Sequence, residues 1–197
     1  MSTDRVSVHV GRTDLNQTSD RVHIHTVSEL IVHPNYHRYA LPNDVALIKL
    51  AKNITMMDHI QPVCLWSVDK GLTQDWALEN RGILAGFGTT ELAVLSNHLR
   101  EVDVRIVDLR TCIESDREIY GKHLTRNMLC GKANVCVGDA GAGVMLVKDG
   151  IWYIRGVLLF VSSIDGHLCD NSKYAVFTDV PRYHDWISQS VDLTYVK

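Results

Sequence analysis

The chain has 197 residues, 46% hydrophobic and 22% charged, with a formal net charge of -3. That length and apolar content suit one globular domain with a substantial core and exclude a disordered or fibrous chain. The charge leaves no basic footprint for nucleic acid or an anionic membrane, and no apolar run approaches the ~18 residues of a spanning helix.

The amino terminus, MSTDRVSVHVGRTDL, lacks the basic start and apolar stretch of a secretory signal. RVSVHV, RVHIHTVSELIVH and VALIKL then read as strands, rich in Val, Ile and Leu and punctuated by turn residues. SVDKGLTQDWALEN, residues 67–80, is the best candidate for a connection between two halves. Beyond it RGILAGF, EVDVRIV, GVMLV, WYIRGVLLFV and YAVFTDV continue the strand pattern, which predicts an all-β barrel or sandwich. VPRYHDWISQSV differs: Pro181 suits a first helical turn, and Tyr183, Trp186, Ile187 and Val191 recur at helical spacing.

Cysteines 64, 112, 130, 136 and 169 show neither CxxC pairs nor the histidine spacing of a zinc site, and their odd number leaves one over. Asn16 and Asn53 each begin an N-x-T triplet, the acceptor pattern for glycosylation in a secreted protein. His23 and His25 share one strand face, a spacing that packed or solvent-facing histidines explain better than a metal site.

HPNYHRYALPNDVALIKL, QPVCL at 61–65, AGFGTTE at 85–91, NMLCGK at 127–132, CVGDAGAGVML at 136–146 and YAVFTDVPRYHDWI at 174–187 occur in the order found in one family. Together they resemble the chymotrypsin/trypsin-like serine proteases over nearly the whole chain. The resemblance implies two antiparallel β-barrels and a C-terminal helix. The expected divisions are an incomplete first barrel at 1–74, a second barrel at 75–180 and the helix at 181–197.

Catalysis of that kind uses a serine, a histidine that takes its proton, an aspartate that orients the histidine and N–H groups that hold the oxyanion. By resemblance Asp44 is the orienting aspartate; without its histidine it is expected to be a buried acid held by hydrogen bonds. The histidine belongs to a TAAHC-like segment upstream of VSVHVGRTDL, which this sequence does not contain. His33 and His37, like His23 and His25, fall on strand or loop segments unsuited to replace it. Ala140 occupies the nucleophile position, where a methyl group cannot attack, and Ser115, Ser162 and Ser163 lie outside the motif. Gly138 occupies the position of an oxyanion donor.

Ala142 and Gly143 depart from the family's glycine and proline. Leu159, Phe160 and Val161 stand at the specificity wall, where Val161 should narrow the entrance. Asn134 stands at the pocket base without the carboxylate that pairs a basic side chain. A filled pocket of packing residues is the plainer expectation.

The resemblance also implies disulfides Cys112–Cys130 and Cys136–Cys169, with Cys64 left to a pro-segment or clip-type domain. No IVGG-like terminus is present to pair with Asp139, which is therefore expected to lack a partner. Arg12 opposes calcium where some relatives carry a glutamate, and no cofactor is expected.

The expected function is a non-catalytic serine protease homologue, a secreted binding or regulatory module of an extracellular proteolytic cascade with protein partners. The alternatives are an altered form of an active endopeptidase and a secreted structural β-domain. Missing early strands should leave sheet edges and apolar surface open.

Overall fold

A computed structural model describes residues 2–17, 19–39, 41–66, 71–89, 94–164 and 168–191. Strands β1 (Ser7–Val10), β2 (His23–Val32) and β3 (Ala46–Leu50) form a three-stranded sheet in that order. Both pairings are antiparallel, and a register shift lies between Val27 and Glu29. Among the described residues this sheet stays open, and it occupies the span expected to hold the first barrel.

The second barrel closes. Its strands are β5 (Arg81–Gly86), β6 (Arg100–Val107), β7 (Met128–Lys132), β8 (Gly143–Lys148), β9 (Ile151–Phe160) and β12 (Ala175–Asp179). They run in the order β12-β7-β6-β5-β8-β9, and β12 pairs with β9 to complete the ring. Strand β4 (Cys64–Leu65) adds in parallel to the outside of β9, while β10 (Ser163–Ile164) and β11 (Leu168–Cys169) form a separate hairpin. Leu84, Val104, Val144, Leu146 and Phe177 are fully buried and fill the barrel. Their origin on four strands, two of them from β8, explains the apolar runs: each strand turns alternate residues inward.

Among the described residues three short helices lie between strands and a fourth follows the last one. Helix α1 (Gln74–Glu79) lies within the predicted connection, of which residues 67–70 fall outside the described residues. Thr73 caps it by accepting from Trp76 N at 3.2 Å. Helix α2 (Leu109–Ser115) is capped by Asp108, which accepts from Thr111 N at 2.8 Å, and α3 (Tyr120–His123) follows. The predicted terminal helix is a 3-10 turn, Val180–Tyr183, leading into α4 (His184–Ser190); residues 192–197 of the predicted span lie outside the described residues. Val180, Tyr183 and Ile187 pack against Val45 and Leu47 from the first sheet and Leu65, Ile154 and Val157 from the second half. The helix thus sits where the two sheets meet.

A buried ion pair ties the connection to the barrel. Arg155 on β9 meets Asp179 on β12, donates to Gln74 Oε1, and lies over the Trp66 ring with its Cζ 5.0 Å from the ring centre. Burial pushes the guanidinium pKa down to about 10, so it remains charged at neutral pH and requires the Asp179 carboxylate.

The structure joins Cys112 to Cys130, tying α2 to β7, and Cys136 to Cys169, tying the loop after β7 to β11. Cys64 is free and half-buried beside the barrel core.

Candidate functional site

The loop between β7 and β8 carries the sequence's most distinctive motif. Gly138 has φ +96°, a left-handed conformation natural to glycine, which lets the chain turn just before Asp139. Asp139 N donates to Cys136 O at 3.1 Å, and Ala142 N donates to Asp139 O at 2.9 Å. Gly141 N donates to Leu158 O and Leu158 N to Ala142 O, both at 2.8 Å, stitching the loop onto β9.

Asp139 does not lack partners. Its Oδ1 accepts from Gly88 N at 2.8 Å and its Oδ2 from Cys136 N at 3.0 Å, so both oxygens of this 9%-exposed side chain are engaged. The expectation of an unpartnered acid is overturned by backbone donors from an adjoining segment. A Cβ on Gly86 or on Gly88 would collide with the Asp139 carboxylate, which makes these two glycines its cradle. The spacing Gly86-Phe87-Gly88 in AGFGTTE carried that signal, although nothing local to it named Asp139 as the occupant.

Ala140 and Gly138 are exposed. Their N–H groups have no hydrogen-bond partner among the described residues, in contrast to the neighbouring N–H groups of Asp139, Gly141 and Ala142. Two free backbone donors flanking a methyl side chain can accept a carbonyl or carboxylate oxygen. They offer no attacking atom.

The Asp44 side chain is exposed, which corrects the expected buried acid: Val45 and Leu47 pack toward the terminal helix, while the alternating residues Asp44, Ala46 and Ile48 are exposed. The Asp44 carbonyl accepts from Thr178 Oγ1 at 3.0 Å, an anchor between the halves made by backbone. His33 packs edge-on against Tyr183 and Trp186 at 5.3 and 5.0 Å, and its Nδ1 accepts from Asn35 N. His37 lies tilted against Tyr39, with ring centres 5.8 Å apart. His23 and His25 lie half-buried on β2 opposite Val10 and Val8. No histidine pairs with Asp44 among the described residues.

The residues read as a specificity pocket differ in their surroundings. Asn134 is exposed and lines a cleft with Arg100, Glu101, Val102, Asp103 and Lys132. Leu159 and Phe160 pack instead around Cys112, Tyr120, Cys130 and Val176, while Val161 packs on the barrel core. Ala133, Val135 and Ala175, flanking this region, are themselves buried in that core.

Asn16 and Asn53 are both exposed on loops, although Thr18 of the first triplet lies outside the described residues. Among the described residues no group of three or more His, Cys, Asp or Glu is placed to hold a metal ion. Among the described residues no helix is long and apolar enough to cross a membrane.

Comparison with known proteins places these features in context. Residues 1–187 match the family described as Trypsin. The chain is 31% identical over 174 residues to chymotrypsin-C of Bos taurus, covering 85% of this chain and 62% of that protein. It is 30% identical over 179 residues to mannan-binding lectin serine protease 1 of Rattus norvegicus, covering 86% and 23%. It is also 27% identical over 202 residues to vitamin K-dependent protein C of Oryctolagus cuniculus, covering 95% and 42%. The chain therefore spans less than two thirds of the length of each of these relatives.

Proposed function

The chain belongs to the trypsin-like serine protease family, and from that premise we propose that it is a non-catalytic homologue that binds proteins rather than cleaving them. One observation carries the proposal: Ala140, at the family's nucleophile position, presents a methyl group between N–H donors that remain free among the described residues. Acyl transfer needs a nucleophile and a base that takes its proton. Here the first is an alanine, and Asp44, in the place of the orienting acid, meets no histidine among the described residues.

The free donors of Gly138 and Ala140 suit a backbone carbonyl or a C-terminal carboxylate of a bound polypeptide. Leu159, Phe160, Val161 and Asn134 supply packing and surface rather than a deep pocket, so binding would rest on loops around the cleft. Two disulfides and two exposed sequon asparagines support a secreted protein acting among the proteases of an extracellular cascade. A clip-type or other upstream segment bonded through Cys64 belongs to the same proposal.

The test is reaction of the purified chain with a serine-directed phosphonate and assay against a peptide library. Neither labelling nor turnover is expected, and Ala140→Ser alone should restore neither. Turnover by the unaltered chain would sink the proposal. The retained donors equally suit an altered copy of an active endopeptidase; genomic sequencing decides, since a serine codon at 140 would favour that reading.

A further inference from the structure

The Asp139 loop is connected to the first sheet's side of the molecule by an unbroken run of hydrogen bonds. Thr13, Asp14 and Leu15 pair antiparallel with residues 97–99: Leu15 N donates to Asn97 O at 2.7 Å, and Leu99 N donates to Thr13 O at 2.8 Å. Asp14 and His98 face each other at the centre of this clasp, their side chains 3.5 Å apart. Asp14 Oδ1 also accepts from Asn16 N at 2.8 Å, and Arg12 Nη1 donates to Leu15 O at 2.9 Å, so the turn is braced from within.

The second strand of the clasp continues toward the loop. Ser96 N donates to Gly88 O at 3.2 Å, and Leu95 bridges Thr89. Thr89 N donates to Val137 O at 2.9 Å, and Gly88 N holds Asp139 Oδ1. Gly88 therefore uses its carbonyl toward the clasp and its N–H toward Asp139. A shift of 95–99 moves the peptide units that fix the buried carboxylate.

We propose that the 12–16 turn is a brace for the Gly138–Ala140 donors, so that loosening this turn loosens the loop that carries them. The inference concerns loop order and stands whether or not those donors bind a peptide carbonyl. Every link is a peptide–peptide or peptide–carboxylate bond in the folded chain, and no side chain of the proposed binding site is needed. Contiguity by itself does not establish coupling; the coupling has to appear as exchange of remote amides.

The experiment is amide hydrogen exchange, resolved by residue, on the 197-residue chain and two variants. Asp14→Ala removes the centre of the clasp. Exchange at the hydrogen-bonded loop amides of Asp139, Gly141 and Ala142 should accelerate at least about fivefold, the lower range of measured coupling between sites, while Leu84, Val144 and Phe177 in the barrel remain protected. Reciprocity then requires Asp139→Asn to accelerate exchange at Leu15 and Leu99. If Asp14→Ala loosens only the clasp, or if Asp139→Asn leaves Leu15 and Leu99 unchanged with the barrel still protected, the brace does not exist. Should one variant lose barrel protection, the other decides by the same criterion. Phosphonate labelling and peptide turnover are unaffected by either result, so the functional proposal stands or falls separately.

Discussion

At Asp139 the family motif has outlived its expected partner because the carboxylate is satisfied by Gly88 N and Cys136 N instead. Bonds of this type, to an ionised acceptor, contribute about 1.5–3 kcal/mol each, and removing the acid leaves two buried donors unpaired. Asp139→Ala is therefore expected to destabilise the chain by about 3 kcal/mol, read as a lower denaturation midpoint with unchanged slope. Gly88→Ala should act on the same contact from the other side, since its methyl group would occupy the space of the carboxylate. If each single variant is destabilised but the pair Asp139→Ala with Gly88→Ala is no worse than the first alone, the cradle is confirmed as one unit. Full additivity would show that the glycine serves something else. Asp44 teaches the opposite lesson: a motif match assigned it a role, but its burial depends on neighbours that no local pattern specifies.

Among the elements, the paired strands were legible and the short helices were not. Alternating apolar residues marked β2, β5, β6, β8, β9 and β12, since half of each strand faces a core. Helices α1, α2 and α3 have four to seven residues, too few for a helical period to emerge, and caps such as Asp108 are visible only after the helix is known. Arg155 within WYIRGVLLF and Asp179 within YAVFTDV were, in retrospect, charges inside apolar strands that required one another. Around α2 and α3 a second pair gives a pH-dependent prediction. Lys173 Nζ lies 2.6 Å from Asp116 Oδ2. The lysine's hydrogen bond, followed by that from Ile119 N–H, lowers the Asp116 pKa, and the same hydrogen bond to Asp116 raises that of Lys173. The acid's contribution is complete above its unfolded pKa, about 3.9, and is lost as pH falls through its lower native value. The lysine's contribution is complete below its unfolded pKa, about 10.4, and is lost as pH rises through its higher native value. Melting temperature should thus fall at both extremes, and the difference between the chain and Asp116→Asn should be greatest from about pH 5 to 9. A difference that stayed constant from acid to alkaline pH would show that the pair contributes nothing through ionisation.

The whole molecule is asymmetric: one sheet closes on itself and the other does not. Closure gives every strand of the second barrel two neighbours and buries its inward face. In the first sheet β1 and β3 each pair, among the described residues, only with β2, leaving two strand edges. Leu47 turns toward the terminal helix, so its neighbour Ile48 points to the opposite face, where Leu30 and Val32 join it through the register of β2 and β3. Val32 is 51% exposed and Ile48 50% exposed on that face. Such a face should bind an apolar dye and promote association, because among the described residues neither the edges nor the side chains have a covering layer. The double variant Val32→Lys and Ile48→Lys is expected to reduce dye fluorescence and light scattering at high concentration. Because both side chains are already half in water, stability should change by only about 0.5 kcal/mol. A large loss of stability would instead mean that these two side chains are covered in solution, and unchanged scattering would place the association surface elsewhere.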